Sequence, residues 1–237
     1  MSARPVPAAP ASVPVAADRA LGAAFALCAL ATLALLASHP APAGHGLVDL
    51  INEEARHRVR DAMVHGGFIV TLATLLVCFT FFSRRLGMER VPVVAGLVAY
   101  CIGCGALMLS MLIDGFAVPA IATRFSDAPG GVDLRSAQTS FLLCGTLVRF
   151  LMPLGLLFQA AAMLAWSAVI VRDAGWRRAV GAFGVAAALF LGTALLAAPP
   201  MLEQHLLLGG IVLECLWYLA LAGLLYDRGG AIAPSSG

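Results

Sequence analysis

Long apolar runs alternate with short polar joints along this chain, and the runs share one length. Stretches of about 20 apolar residues, enough to cross a hydrocarbon core of roughly 30 Å, fall at 20–38, 64–83, 91–113, 149–171, 179–198 and 206–226. Read as helices, they predict an all-α fold, a polytopic membrane protein built as a bundle of six transmembrane helices.

The polar joints set an orientation. The second and third runs are separated by SRRLGMER, and the fourth and fifth by RDAGWRR. Short basic loops stay in the cytoplasm under the positive-inside rule. Both termini then face the cytoplasm as well, in agreement with Arg4, Arg19 and Arg228. Nine arginines fall on that side, five in the two longer outer loops, and Arg149 at a span end.

Residues 1–19, rich in Pro and Ala and without periodicity, are expected to form a disordered cytoplasmic tail, followed by a membrane domain over 20–228 and a loose tail over 229–237. A cleaved signal peptide is the competing reading, since ASHPAPAG follows the first run. The run exceeds the usual signal core of about 7–15 residues, which counts against it. No internal repeat supports an inverted-repeat transporter.

Composition agrees with the pattern. With 61% apolar residues, 12% charged residues and mean hydropathy +0.92, the chain suits lipid rather than water. All fifteen basic residues are Arg, which together with the Ala and Gly content points to the coding bias of a GC-rich genome rather than to a binding signal; the general layout is similar to that of small bacterial inner-membrane proteins, the expected location. A net charge of +2 makes no case for nucleic acid. The expected partners are the lipid bilayer and other membrane subunits.

One stretch breaks the economy of charge. EEARHRVRDAMVHGG, residues 53–67, places eight ionisable groups between Glu53 and His65, directly before the second apolar run. Glu53, His57, Asp61 and His65 recur every four residues, a spacing that brings side chains near one another on a helix. Leu47, Leu50, Ile51, Ala55, Val59, Ala62 and Met63 offer a packing stripe on the same helix. The second helix is therefore expected to extend outward. SAQTSFLLCGTLV, residues 136–148, can extend the fourth likewise, because Phe141, Leu142, Leu143 and Leu147 would be costly in water. The two extensions predict an outer cap drawn from about 45–63 and 115–148.

Counting from the cytoplasmic arginines at about 1.5 Å per residue puts His65, Asp114, Arg149 and His205 at similar heights, near the outer boundary. All five histidines, His39, His45, His57, His65 and His205, lie on that side. A transition-metal ion held by His57, Asp61, His65, Asp114 and His205 is one expectation. A b-type haem between His65 and His205, with Gly66, Gly67, Gly209 and Gly210 leaving room for the macrocycle, is another. A solvated helix face with internal ion pairs explains the same residues without a ligand. The Glu54 to His57 spacing of a carboxylate di-iron bundle occurs once where two copies are needed.

Glu214 falls inside the hydrocarbon region, so it must be neutral or paired, with Arg149, Gln159 or Ser110 as expected partners. Asp114-Gly115-Phe116 followed by Pro119 is expected to end the third span abruptly, and Pro153 to kink the fourth. Cys101 and Cys104 form CIGC in mid-span, a poor place for thiol exchange. Glycine-loop, Gly-x-Ser-x-Gly and His-Glu-x-x-His motifs are absent. Two function classes remain. One is a redox or metal protein with an outer site. The other is a non-catalytic subunit or a solute or proton carrier using Glu214, Arg149 and Asp114.

Overall fold

A computed structural model describes residues 15–39, 46–126, 134–197 and 203–227. Arg4, His45, Arg228 and the parts of both expected tails beyond those limits lie outside the described residues. The helices are α1 (Val15–Ala37), α2 (Leu47–Leu86), α3 (Val91–Leu112), α4 (Val118–Ser126), α5 (Leu134–Ile170), α6 (Trp176–Ala197) and α7 (Glu203–Tyr226). A π-helical turn, Ile113–Ala117, joins α3 to α4. Six helical segments are long and apolar enough to cross a membrane.

The packing order closes a ring. α1 packs on α2, α2 on α3, α3 on α5, α5 on α6, α6 on α7, and α7 returns to α1. Short joints at Gly87–Arg90 and after Ile170 make neighbours antiparallel, and glycine serves both, with φ of +98° at Gly87 and +60° at Gly175. Small residues bring the helices together elsewhere. A Cβ on Gly103 would lie 2.8 Å from the Gly155 carbonyl oxygen, so α3 and α5 touch nearly backbone to backbone. Inside the ring Phe79 stacks on Trp166 with centroids 4.4 Å apart, flanked by Phe25, Tyr100 and Trp217. Outside it, Val70, Val77, Phe81, Ile102 and Phe190 are exposed, the surface that lipid tolerates.

α1 begins at Val15 rather than at residue 20. Its first turn carries Asp18, which is fully buried and pairs with Arg85 from the last turn of α2. An acid suits a helix N-terminus and a base a C-terminus, so this pair also matches both helix dipoles. It ties α1 to α2 at the basic end of the bundle.

At the other end α2 and α5 both run well past a bilayer's thickness, as the pattern predicted. Ile51, Ala122 and Ala137 form a small second core there, with Leu47, Ala55, Phe125 and Phe141 against it. This is a cap of α2, α4 and α5. It buries less than expected: Val59 and Met63 of the predicted stripe are exposed, as are Leu142, Leu143 and Leu147. α2 turns its Ile51, Asp61, Val64 and His65 face inward instead.

The third span does not end at Asp114. The chain widens into the π turn, where the Val118 N–H reaches the Ile113 carbonyl, and continues helical to Ser126. Pro119 is tolerated because it stands in the first turn of α4, where a missing N–H costs little. Pro153 likewise sits inside an unbroken α5.

Candidate functional site

The π turn fixes the site. By inserting one residue per turn it re-aims the chain beside α2, and its only buried member, Gly115, lies against His65. A Cβ on Gly115 would overlap the His65 ring. Only glycine lets the two elements approach this closely. Gly115→Ala is therefore expected to destabilise the protein by about 1–3 kcal/mol, the usual cost of overpacking. Gly145→Ala is the control, since its Cβ would meet nothing within 4 Å. Thermal denaturation in detergent should lower the midpoint of the first variant and leave that of the second unchanged or slightly raised.

His65 is 2% exposed and is held from both nitrogens. Nδ1 lies 2.9 Å from the Asp61 carbonyl oxygen. A carbonyl can only accept, so Nδ1 carries the proton and donates. In the neutral ring Nε2 then presents a lone pair. Facing it are Asp114 Oδ2 at 3.1 Å and His39 Nε2 at 3.3 Å. One ligand atom from each of His39, His65 and Asp114 lies within 4.8 Å of the others.

His39 follows the end of α1, and its placement has a visible cause. Arg60 Nη2 donates to the Ser38 carbonyl at 2.9 Å, which pins the residue before His39 to α2. The rings of His39 and His65 meet edge to face, with centroids 5.0 Å apart. A Cβ on Gly67 would come 2.8 Å from Leu35 Cδ2, so this glycine serves the close packing of α1 on α2.

Among the residues expected at the site, the structure brings His65 and Asp114 together. Asp61 is buried one turn away and contributes its carbonyl. His57 is exposed. Each step of four residues advances about 40° around a helix, so the ladder from Glu53 to His65 winds off the inward face. His205 is also exposed and lines a separate groove with Phe183, Leu191 and Gly209, between α6 and α7. It does not join the His65 cluster, and the haem expectation built on that pair has no counterpart among the described residues. His39 is the residue that spacing missed. Its signal was height: counted from Arg19 it stands about 30 Å up, close to His65.

Two acids of α2 interact electrostatically with this cluster. Glu54, on the part of α2 about 16 Å above His65, has its pKa pushed up to about 7 by burial, with Asp61 and Asp114 adding to the effect. Burial also raises the Asp61 carboxyl, against the pull of His65, His39 and His57.

Behind the cluster a cavity of about 640 Å³ runs into the bundle. His39, His65, Asp114 and Arg149 stand around its mouth, while Gln159, Glu214 and Tyr218 line its deep part. Arg149 does not partner Glu214. Tyr218 does, its hydroxyl donating to Glu214 Oε2 at 3.5 Å. Gln159 Nε2 instead approaches Cys104 Sγ at 3.7 Å, and Ser110 Oγ is buried without a hydrogen-bond partner. All six cysteines are free thiols, Cys101 exposed on the bundle surface and Cys104 buried.

No protein-family model, curated protein or solved structure matches this chain. The site must be read from its own geometry.

Proposed function

We propose that this is a multi-pass protein of the bacterial inner membrane that binds one divalent transition-metal ion through His39 Nε2, His65 Nε2 and Asp114 Oδ2. The observation that supports this reading is the arrangement around His65 Nε2. With Nδ1 donating to Asp61, the neutral ring aims a lone pair at a carboxylate oxygen and a second imidazole nitrogen. Two acceptors facing each other repel unless a proton or a metal cation stands between them, and a metal can serve all three groups at once. Ligands about 2.0–2.1 Å from a tetrahedral zinc lie roughly 3.3 Å apart, close to the 3.1 and 3.3 Å found here. Zinc and copper(II) suit a set rich in imidazole, and copper would add a redox role. Asp61 acts through its carbonyl, fixing the tautomer that makes His65 a ligand.

Elemental analysis of protein purified without chelator tests this, together with titration of zinc and copper into the metal-free form. About one ion per chain is expected. A folded protein that carries no metal and takes up neither ion would leave His65 and Asp114 as an ion pair with a protonated imidazole. The non-catalytic subunit reading would then replace this one.

The basic joints support an orientation with the cap end on the outer side of the membrane. Single cysteines at Arg58 and Glu89, in a background lacking the native thiols, should label on opposite sides of intact cells with an impermeant reagent. Arg58 is expected to be the outer one. Labelling of the Glu89 position from outside would reverse the orientation.

A further inference from the structure

The cavity has a second polar feature, which the metal reading does not use. Its walls are Leu72, Leu75, Leu107, Met111, Leu156 and Ile211, and at its deep part Glu214 is only 5% exposed. Glu214 Oε2 accepts from Tyr218, whereas Oε1 has no hydrogen-bond partner. No ion pair among the described residues includes Glu214. Gln159, which shares this depth, lies ten residues along α5 from Arg149. That separation is about 15 Å, so the arginine belongs to the mouth and not to the level of the carboxyl. Cys215 and Tyr218 of α7 are the other titratable groups lining the deep part, and neither supplies a positive charge.

We propose that this cavity binds a lipophilic monovalent cation, whose charge rests against the Glu214 carboxylate and whose apolar groups fill the leucine-lined space. A carboxyl removed from water is either protonated or paired with a counter-charge, and an entering cation favours the ionised, paired form. Hard metal ions require six or more oxygen ligands or retained water, and the deep part offers only Glu214, Gln159 and Tyr218. A cation that spreads its charge over a large apolar body loses little hydration on entry, because the Born cost falls as ionic radius rises. Such a molecule also matches the mainly aliphatic walls. This inference does not rest on the metal site, which lies at the mouth and uses other residues.

The test is equilibrium binding of tetraphenylphosphonium to the full chain in detergent, with neutral triphenylphosphine oxide as the uncharged comparison. Saturable binding of the cation is expected, with at least a tenfold loss in Glu214→Gln and no change for the neutral compound. His205→Ala, in the separate groove between α6 and α7, should bind the cation as the native protein does. Equal affinity of native protein and Glu214→Gln for the cation would overturn the proposal, as would the absence of saturable binding to the native protein. Should Glu214→Gln fail to fold, Leu156→Trp keeps the carboxyl and fills the cavity. Loss of cation binding in that variant supports the assignment, and full retention refutes it.

Discussion

Alanine at position 65 is expected to abolish metal binding while the bundle stays folded. His65 is the centre of the cluster: its Nε2 faces both Asp114 Oδ2 and His39 Nε2. Removing an outer partner of a metal ligand costs about 10–100-fold in affinity, and removing the central ligand should cost more. Asp114→Ala and His39→Ala should each weaken binding as well, and His205→Ala should not, since His205 lies in another groove. Calorimetric titration of zinc or copper into each variant reads the difference directly. Equal losses at His65 and His205 would revive a site spanning α2 and α7 and would exclude the one described above.

The second large effect is expected at the basic end. Asp18→Asn should destabilise the protein by about 3–5 kcal/mol, the usual consequence of leaving one member of a buried ion pair uncompensated. Asp18 is fully buried, and the Arg85 side chain is 11% exposed. The double variant Asp18→Asn, Arg85→Leu should recover most of the loss, because replacing both charges removes the desolvation penalty along with the attraction. Unfolding in mixed detergent measures all three proteins. If the single and double variants are equally unstable, the two residues act independently, and α1 is not anchored through this pair.

Local composition made the six spans legible, because a bilayer imposes one length and one polarity on any helix that crosses it. Their limits shifted where a side chain found a tertiary partner. α1 gained a turn at Asp18, which reads as a tail residue until Arg85 meets it. The third span passed Asp114 and Pro119, because a π turn absorbs the glycine and the proline stands where its missing N–H is harmless. Val59 and Met63 looked like a packing stripe, yet they face outward while Asp61 and His65 face in. In the cap the partners of α2 are α4 and α5, and no periodicity within α2 names them.

For the candidate site the division is one of coordinate. Sequence by itself determined height: counting residues along each helix put His65, Asp114, Arg149 and His205 near one level, since rise per residue is nearly constant. Azimuth, the direction each residue faces around the ring, came only from tertiary structure. It depends on which helices are neighbours and on where small residues let them approach. Ring closure set α1, α2 and the π turn side by side, so His39, His65 and Asp114 converge. The same closure turned His205 toward the α6–α7 groove. Gly115, which has no chemistry of its own, decided how closely Asp114 could come to His65. Glu214 could be placed at its depth from sequence, but the cavity beside it exists only where separate helices part.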